Sequence, residues 1–117
     1  MMVRPNLLMY CLARGHENGT LSVSRILDGV ILWNGEHAHQ GVITALAWSP
    51  DGQMLASGGQ DGMVRVWRAD TGALLFTFQH DEPVQRLRWS PHGVLASTSS
   101  TSIRLWPLAT VGHSAAI

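Results

Sequence analysis

A tandem repeat with a period near forty residues constrains this chain more than any other feature, because such a period means repeated supersecondary units. His39, Ile43, Leu46 and Trp48-Ser49-Pro50-Asp51-Gly52 recur as His80, Val84, Leu87 and Trp89-Ser90-Pro91-His92-Gly93, an offset of 41 (39 to 80). Both copies continue into Leu-Ala-Ser, at Leu55-Ala56-Ser57 and Leu95-Ala96-Ser97. Both then reach an apolar-basic-apolar-Trp run, Val64-Arg65-Val66-Trp67 and Ile103-Arg104-Leu105-Trp106. A weaker copy lies at an offset of 43 (12 to 55), with Leu12–Ser24 over Leu55–Trp67 and Val30–Trp33 over Ala73–Phe76. Pairing Trp33 with Trp67 instead leaves five residues before His39 (34 to 38), too few for the strand that Ala73–Phe78 supplies in the middle copy.

The middle copy reads as four strands. Ile43–Trp48 is apolar and stops at Ser49-Pro50-Asp51-Gly52, where Pro and Gly suit the second and fourth turn positions. Gln53–Ser57 follows, then Gly58-Gly59-Gln60-Asp61-Gly62, then Met63–Trp67, the turn Ala69–Gly72, and Ala73–Phe78. Each run has the length of an ordinary strand. No stretch keeps a 3.6-residue apolar period over three turns, so the pattern predicts essentially no helix.

Composition removes whole classes of function. The 117 residues suffice for one small domain. Eight basic and eight acidic side chains cancel, so no overall field draws nucleic acid or an anionic membrane. All the basic residues are Arg, which excludes a Schiff-base or P-loop lysine. The single Cys11 forms no internal disulfide and no cysteine-rich zinc site. No apolar run approaches the ~18 residues that span a bilayer, and the first residues lack a signal-peptide layout. These features predict a soluble, intracellular, cytoplasmic protein.

Four short strands per unit of about forty residues resembles the WD40 repeat of β-propellers. The resemblance rests on His39, Trp48–Gly52, Leu55–Ser57, Asp61-Gly62 and Val64–Trp67, and it covers roughly Pro5 to Trp106. It departs from the family at Ala38 and Gln79, where Gly precedes the His, and at Arg68 and Pro107, where Asp follows the Trp. The resemblance implies an all-β partial propeller of about 2.7 antiparallel units: a degenerate three-stranded unit over 5–36, a complete one over 37–79, one without a clear fourth strand over 80–107, and a flexible tail over 108–117. It also implies that His39, Ser57, Asp61 and Trp67 form a hydrogen-bonded chain. In the last copy the chain reads His80, Ser97 and Trp106, with no Asp near Ser100–Thr101. In the first copy Arg14, Asn18 and Ser24 stand at the Ser, Asp and Trp positions.

Other chemistry competes for the same residues. Ser57, His39 and Asp61 could be a hydrolase triad, but Ser57 lies in an apolar strand with no nucleophile elbow. His37 and His39 could share a metal, but no carboxylate or Cys stands at ligand spacing beside them. His16, His92 and His113 read as turn or tail residues. Gly58-Gly59 precedes a strand rather than a helix, so it reads as a turn and not a phosphate cradle. No metal or cofactor is implied. Arg86 and Arg88 replace Ala45 and Ala47 on a first strand, which by resemblance lies at the propeller channel. They pair with acids such as Asp81 or Glu82, or they contact an acidic partner or peptide.

About 2.7 units are too few to close a ring of four or more. An open apolar face of about 400 Å² forgoes ~10 kcal/mol, comparable to a whole domain's stability of about 5–15 kcal/mol. The chain is therefore expected to be part of a longer propeller, to assemble with copies of itself, or to pack on another protein. The leading expectation is a non-catalytic scaffold for protein partners, using by resemblance the loops 35–42, 58–62, 79–83 and 98–102. A self-assembling structural protein and a hydrolase using Ser57 are the alternatives.

Overall fold

The computed structural model describes residues 2–5 and 10–108, with side chains from residue 11 onward. The described residues form eleven strands and no helix. The first sheet runs β1 (Met2–Pro5), β2 (Tyr10–Gly15), β3 (Leu21–Arg25), β4 (Ile31–Gly35). The second runs β5 (Ile43–Trp48), β6 (Met54–Gly59), β7 (Met63–Arg68), β8 (Leu74–Gln79). The third has β9 (Arg86–Trp89), β10 (Val94–Thr98) and β11 (Ile103–Pro107). All pairings are antiparallel between chain neighbours. The molecule measures 40 × 39 × 19 Å. The short dimension is one strand long, since five or six residues at ~3.3 Å each give that length.

Two features differ from the sequence reading. The first sheet has four strands rather than three, because Met2–Pro5 pairs with Tyr10–Gly15, with Val3 opposite Leu12. Four residues before Asn6 are enough for a strand whose register a neighbour supplies. Leu108, assigned to the tail, is buried, and its N–H donates to the Gly93 carbonyl at 3.2 Å. The rest of that tail, with His113, lies outside the described residues.

The second sheet turns one face to the first sheet and the other to the third. On the second sheet, the cross-strand rows Leu46–Ser57–Arg65 and Trp48–Leu55–Trp67 face the first sheet. The rows Ala45–Gly58–Val64 and Ala47–Ala56–Val66 face the third. The core is therefore two slabs. Ala13, Leu21 and Val23 meet Leu55 and Trp67 in one, and Val64 and Val66 meet Leu87 and Leu95 in the other.

The slabs are thin because small residues line one side. A Cβ on Gly58 would stand 2.5 Å from Val84 Cγ1, and one on Gly15 would stand 2.5 Å from Ile43 Cγ2. These are the same contact in successive repeats. The main chain stitches the sheets in the same rhythm. Ile43 N–H donates to His16 O at 3.3 Å, and Val84 N–H to Gly59 O at 3.1 Å. His39 N–H reaches Gly19 O at 3.2 Å, and His80 N–H reaches Gly62 O at 2.8 Å. Gly19 and Gly62 have φ of 87° and 82° and press on the next histidine's carbonyl, so conformation and space both demand glycine.

Gly58→Ala should lower stability by about 1–3 kcal/mol, the cost of overpacking a filled contact. Thr98→Ala, at the matching place on the third sheet where no following sheet presses, should change it by less than about 0.5 kcal/mol. Urea unfolding of the two variants checks the contrast.

Candidate functional site

The buried polar groups gather where β6, β7 and the loop before β5 meet. The indole N–H of Trp67 donates to Ser57 Oγ at 2.9 Å, and Ser57 Oγ lies 2.7 Å from His39 Nε2. His39 Nδ1 lies 3.1 Å from Asp61 Oδ1. The protons can be assigned by elimination. Carboxylate only accepts, so the Nδ1–H donates to Asp61; burial disfavours a second proton on the ring, which leaves Nε2 to accept from the Ser57 hydroxyl. His39 is thus neutral, with its proton on Nδ1. Burial pushes its pKa down, against the pull of Asp61. Burial works to raise the Asp61 pKa, but the N–H groups of Gln40 and Met63, at 2.8 and 3.0 Å, together with His39, hold it below its ordinary value.

The third sheet repeats the arrangement without the acid. Trp106 donates to Ser97 Oγ at 2.9 Å, and Ser97 Oγ lies 2.6 Å from His80 Nε2. At His80 Nδ1 stands Ser102 Oγ, 3.3 Å away, itself 3.1 Å from Ser99 Oγ. Burial, then the charge of Arg104, lowers the His80 pKa. Sequence reasoning saw the missing Asp but not its replacement, because the six hydroxyl residues from Ser97 to Ser102 give no spacing signal. In the first sheet Asn18 keeps only the turn bond, accepting from Thr20 N–H at 3.1 Å as Asp61 does from Met63.

Sequence reasoning also missed a second recurring brace. Arg65 Nη1 donates to Ala38 O at 2.6 Å and Arg104 Nη1 to Gln79 O at 2.9 Å, each clamping the residue before the buried histidine. The signal was present as the basic residue inside each apolar third-strand run.

The competing chemistries find little room. Ser57 is fully buried, with its oxygen between Trp67 and His39, so no substrate carbonyl reaches it. His37 is exposed with φ of 61°, while both ring nitrogens of His39 are engaged. His92 is exposed and His16 half-buried, with Nε2 3.4 Å from Ser22 Oγ. Gly58 and Gly59 end β6 and lead through a turn into β7.

Arg86 and Arg88 lie on β9, the strand of the third sheet that packs on β5. They are exposed, and among the described residues neither makes an ion pair. Asp81 stands 3.9 Å from Arg104, and Glu82 accepts from the Ser100 hydroxyl. Three of the loops singled out from sequence meet at a mostly apolar groove of about 420 Å³ between the second and third sheets. Val42, Thr44, Gln60, Pro83, Val84 and Gln85 line it.

The repeated sheets, the shared brace and the sequence pattern agree with the match of residues 8–92 to the family model described as the anaphase-promoting complex subunit 4 WD40 domain. The chain belongs to the WD40-repeat family. This WD40 chain is 33% identical over 99 residues to the eukaryotic translation initiation factor 3 subunit I of Phaeosphaeria nodorum, covering 70% of this chain and 30% of that protein. It is 34% identical over 79 residues to the small ribosomal subunit protein RACK1 of Drosophila melanogaster, covering 67% and 25%. The WD40 chain thus spans about a quarter to a third of the length of these relatives. Among solved structures, the computationally designed Ika4 protein matches with a TM-score of 0.75 and 29% identity, over 90% of this chain and 63% of that one. The WD40 fold present is a partial β-propeller.

Two outcomes follow for the brace. Ser57→Ala leaves an indole N–H and an imidazole nitrogen unsatisfied, and should cost about 1–3 kcal/mol. Differential scanning calorimetry of the variant reads that loss directly. The brace also makes stability depend on pH. The pKa of His39 is lower folded than unfolded, so its contribution is complete above the ordinary histidine pKa near 6.5 and is lost as pH falls through the folded value. Asp61 has the same sign at lower pH. The melting temperature should fall on acidification from pH 7 to 5, and less steeply in His39→Gln.

Proposed function

We propose that this chain is a non-catalytic WD40 scaffold that binds protein partners, and that it serves as part of a larger propeller in the cytoplasm. The observation that carries this reading is the groove of about 420 Å³, where three loops frame an apolar floor between the second and third sheets. Loops presented by a stiff framework are where binding concentrates. The names of the relatives, a translation initiation factor subunit and a ribosomal subunit protein, fit work inside assemblies. Among the described residues no helix is long and apolar enough to cross a membrane. Buried Ser57 argues against the hydrolase reading, and the ring nitrogens of His39 are engaged by a hydroxyl and a carboxylate. Arg86 and Arg88 are the residues proposed to face an acidic partner.

A photocrosslinking side chain at Gln60, on the groove, should yield discrete protein adducts in cells. The same side chain at Leu27, on the outer rim and 87% exposed, should yield none. Equal labelling at both positions would sink the reading. So would turnover of a p-nitrophenyl ester that Ser57→Ala abolishes at unchanged melting temperature.

A further inference from the structure

The groove of about 420 Å³ lies between two sheets that are both present, so no further unit is needed to complete its walls. Val42 and Thr44 come from the entry to β5, Gln60 from the turn after β6, and Pro83, Val84 and Gln85 from the segment that leads into β9. Its volume falls within the ~300–1,000 Å³ of ordinary ligand pockets. The floor is aliphatic, made by Val42, Pro83 and Val84. The Thr44 hydroxyl beside them is already spent. Its Oγ1 donates to the Val84 carbonyl at 2.5 Å and also lies 3.1 Å from the Gly58 carbonyl. That bond ties the two sheets beneath the groove and leaves the floor without a free side-chain polar group.

No ionisable side chain lines the groove. The charged residues next to its lining are committed elsewhere. Asp61 accepts from the Gln40 and Met63 N–H groups and from His39. Glu82 accepts from the Ser100 hydroxyl. Arg86 stands in the row Arg86–Thr98–Ile103, which faces away from the second sheet. A charged side chain seated here would lose water and meet no counter-ion. The polar groups on offer are the carboxamides of Gln60 and Gln85. Both residues are exposed, and among the described residues neither side chain makes a hydrogen bond. A Cβ on Gly41 would stand 3.6 Å from Gln60 Oε1, which places that carboxamide over the entry to β5. A carboxamide donates and accepts at once, and so does a peptide unit.

We infer that this groove seats an extended, uncharged segment of a partner protein, with one aliphatic side chain on Val42, Pro83 and Val84 and the adjoining main-chain amides bonded to Gln60 and Gln85. This inference rests on the scaffold reading and names the chemistry of the partner. The two glutamines select an extended chain, because a helix has already paired its main-chain N–H and C=O groups internally. The aliphatic floor is also too small for the run of anchors at i, i+3, i+4 and i+7 that a docked helix presents. A proline-rich helix would need aromatic walls, and no lining residue is aromatic. The aliphatic anchor supplies affinity by leaving water. The carboxamides fix the direction and register of the segment.

The test uses the whole chain and the blocked peptide acetyl-Ser-Thr-Leu-Thr-Ser-amide, followed by backbone amide NMR shifts. Shifts should gather at residues 42–44, 58–60 and 83–85. Replacing the central Leu by Asp or by Lys should weaken binding about tenfold or more. Methylating the amide nitrogens on either side of that Leu should weaken it about threefold or more. Gln60→Ala with Gln85→Ala should erase the effect of methylation at unchanged melting temperature, since both side chains are exposed. The proposal is overturned if the Leu peptide leaves these residues unshifted up to its solubility limit, or if the Asp or Lys peptide binds as well. It is equally overturned if the methylated peptide binds alike, or if a cross-braced helical peptide with the same central Leu binds more tightly. Crosslinking at Gln60 without any preference among the peptides would leave the scaffold standing and remove this class of partner alone.

Discussion

The structure depends on a neutral imidazole held in a dry place. His39 is almost wholly buried, and both of its ring nitrogens are satisfied, one by a hydroxyl that itself accepts from an indole. Its backbone N–H belongs to the preceding sheet through Gly19, while its side chain belongs to the following one. One residue therefore joins two sheets that have no strand in common. Burial is what gives these bonds their weight, because each polar atom removed from water must find a partner inside. His80 does the same for the second and third sheets, with Ser102 in the place of a carboxylate.

Around these braces the sheets stack by a simple division of labour. One face of each sheet carries bulk, such as Trp48, Leu55 and Trp67, and the other carries small residues, such as Ala47, Ala56 and Gly58. Bulk against small gives the close contact, and the indole of Trp89 reaches across it to the Ala47 carbonyl at 3.0 Å. The two ends of the stack break this rule in different ways. The first sheet has lost the ring at Ser24, and the third has gained charge at Arg86 and Arg88. The two outer faces of the described sheets are thus unlike each other.

Much of the site was legible in the sequence. The repeat and its resemblance to the WD40 unit placed His39, Ser57, Asp61 and Trp67 in one unit, and the four side chains meet at hydrogen-bond distance. Ser102 was not legible, because a run of hydroxyl residues offers several equivalent partners and only the loop's path selects one. The braces from Arg65 and Arg104 were visible as basic residues but not as clamps, since their acceptors are carbonyls and carbonyls leave no mark in a sequence. Strand β1 escaped for a related reason. Four residues carry too little periodicity to be read as a strand, and it is the register with β2 that makes them one.

By itself the sequence determined the all-β class, the unit length and the turns, and its resemblance to the WD40 repeat named the buried polar chain. Those are consequences of periodicity, of Pro and Gly at set positions, and of polar atoms that must be paired when buried. Only the tertiary structure decided which face each residue occupies. Arg86 and Arg88 sit on the inner strand, as their position in the repeat requires, yet they point to the face that a next sheet would cover. Alternation assigns residues to one of two faces, but it does not say which of them is covered. That is set by the neighbouring sheet, and it leaves Val64 and Val66 dry and Ile103 and Leu105 exposed.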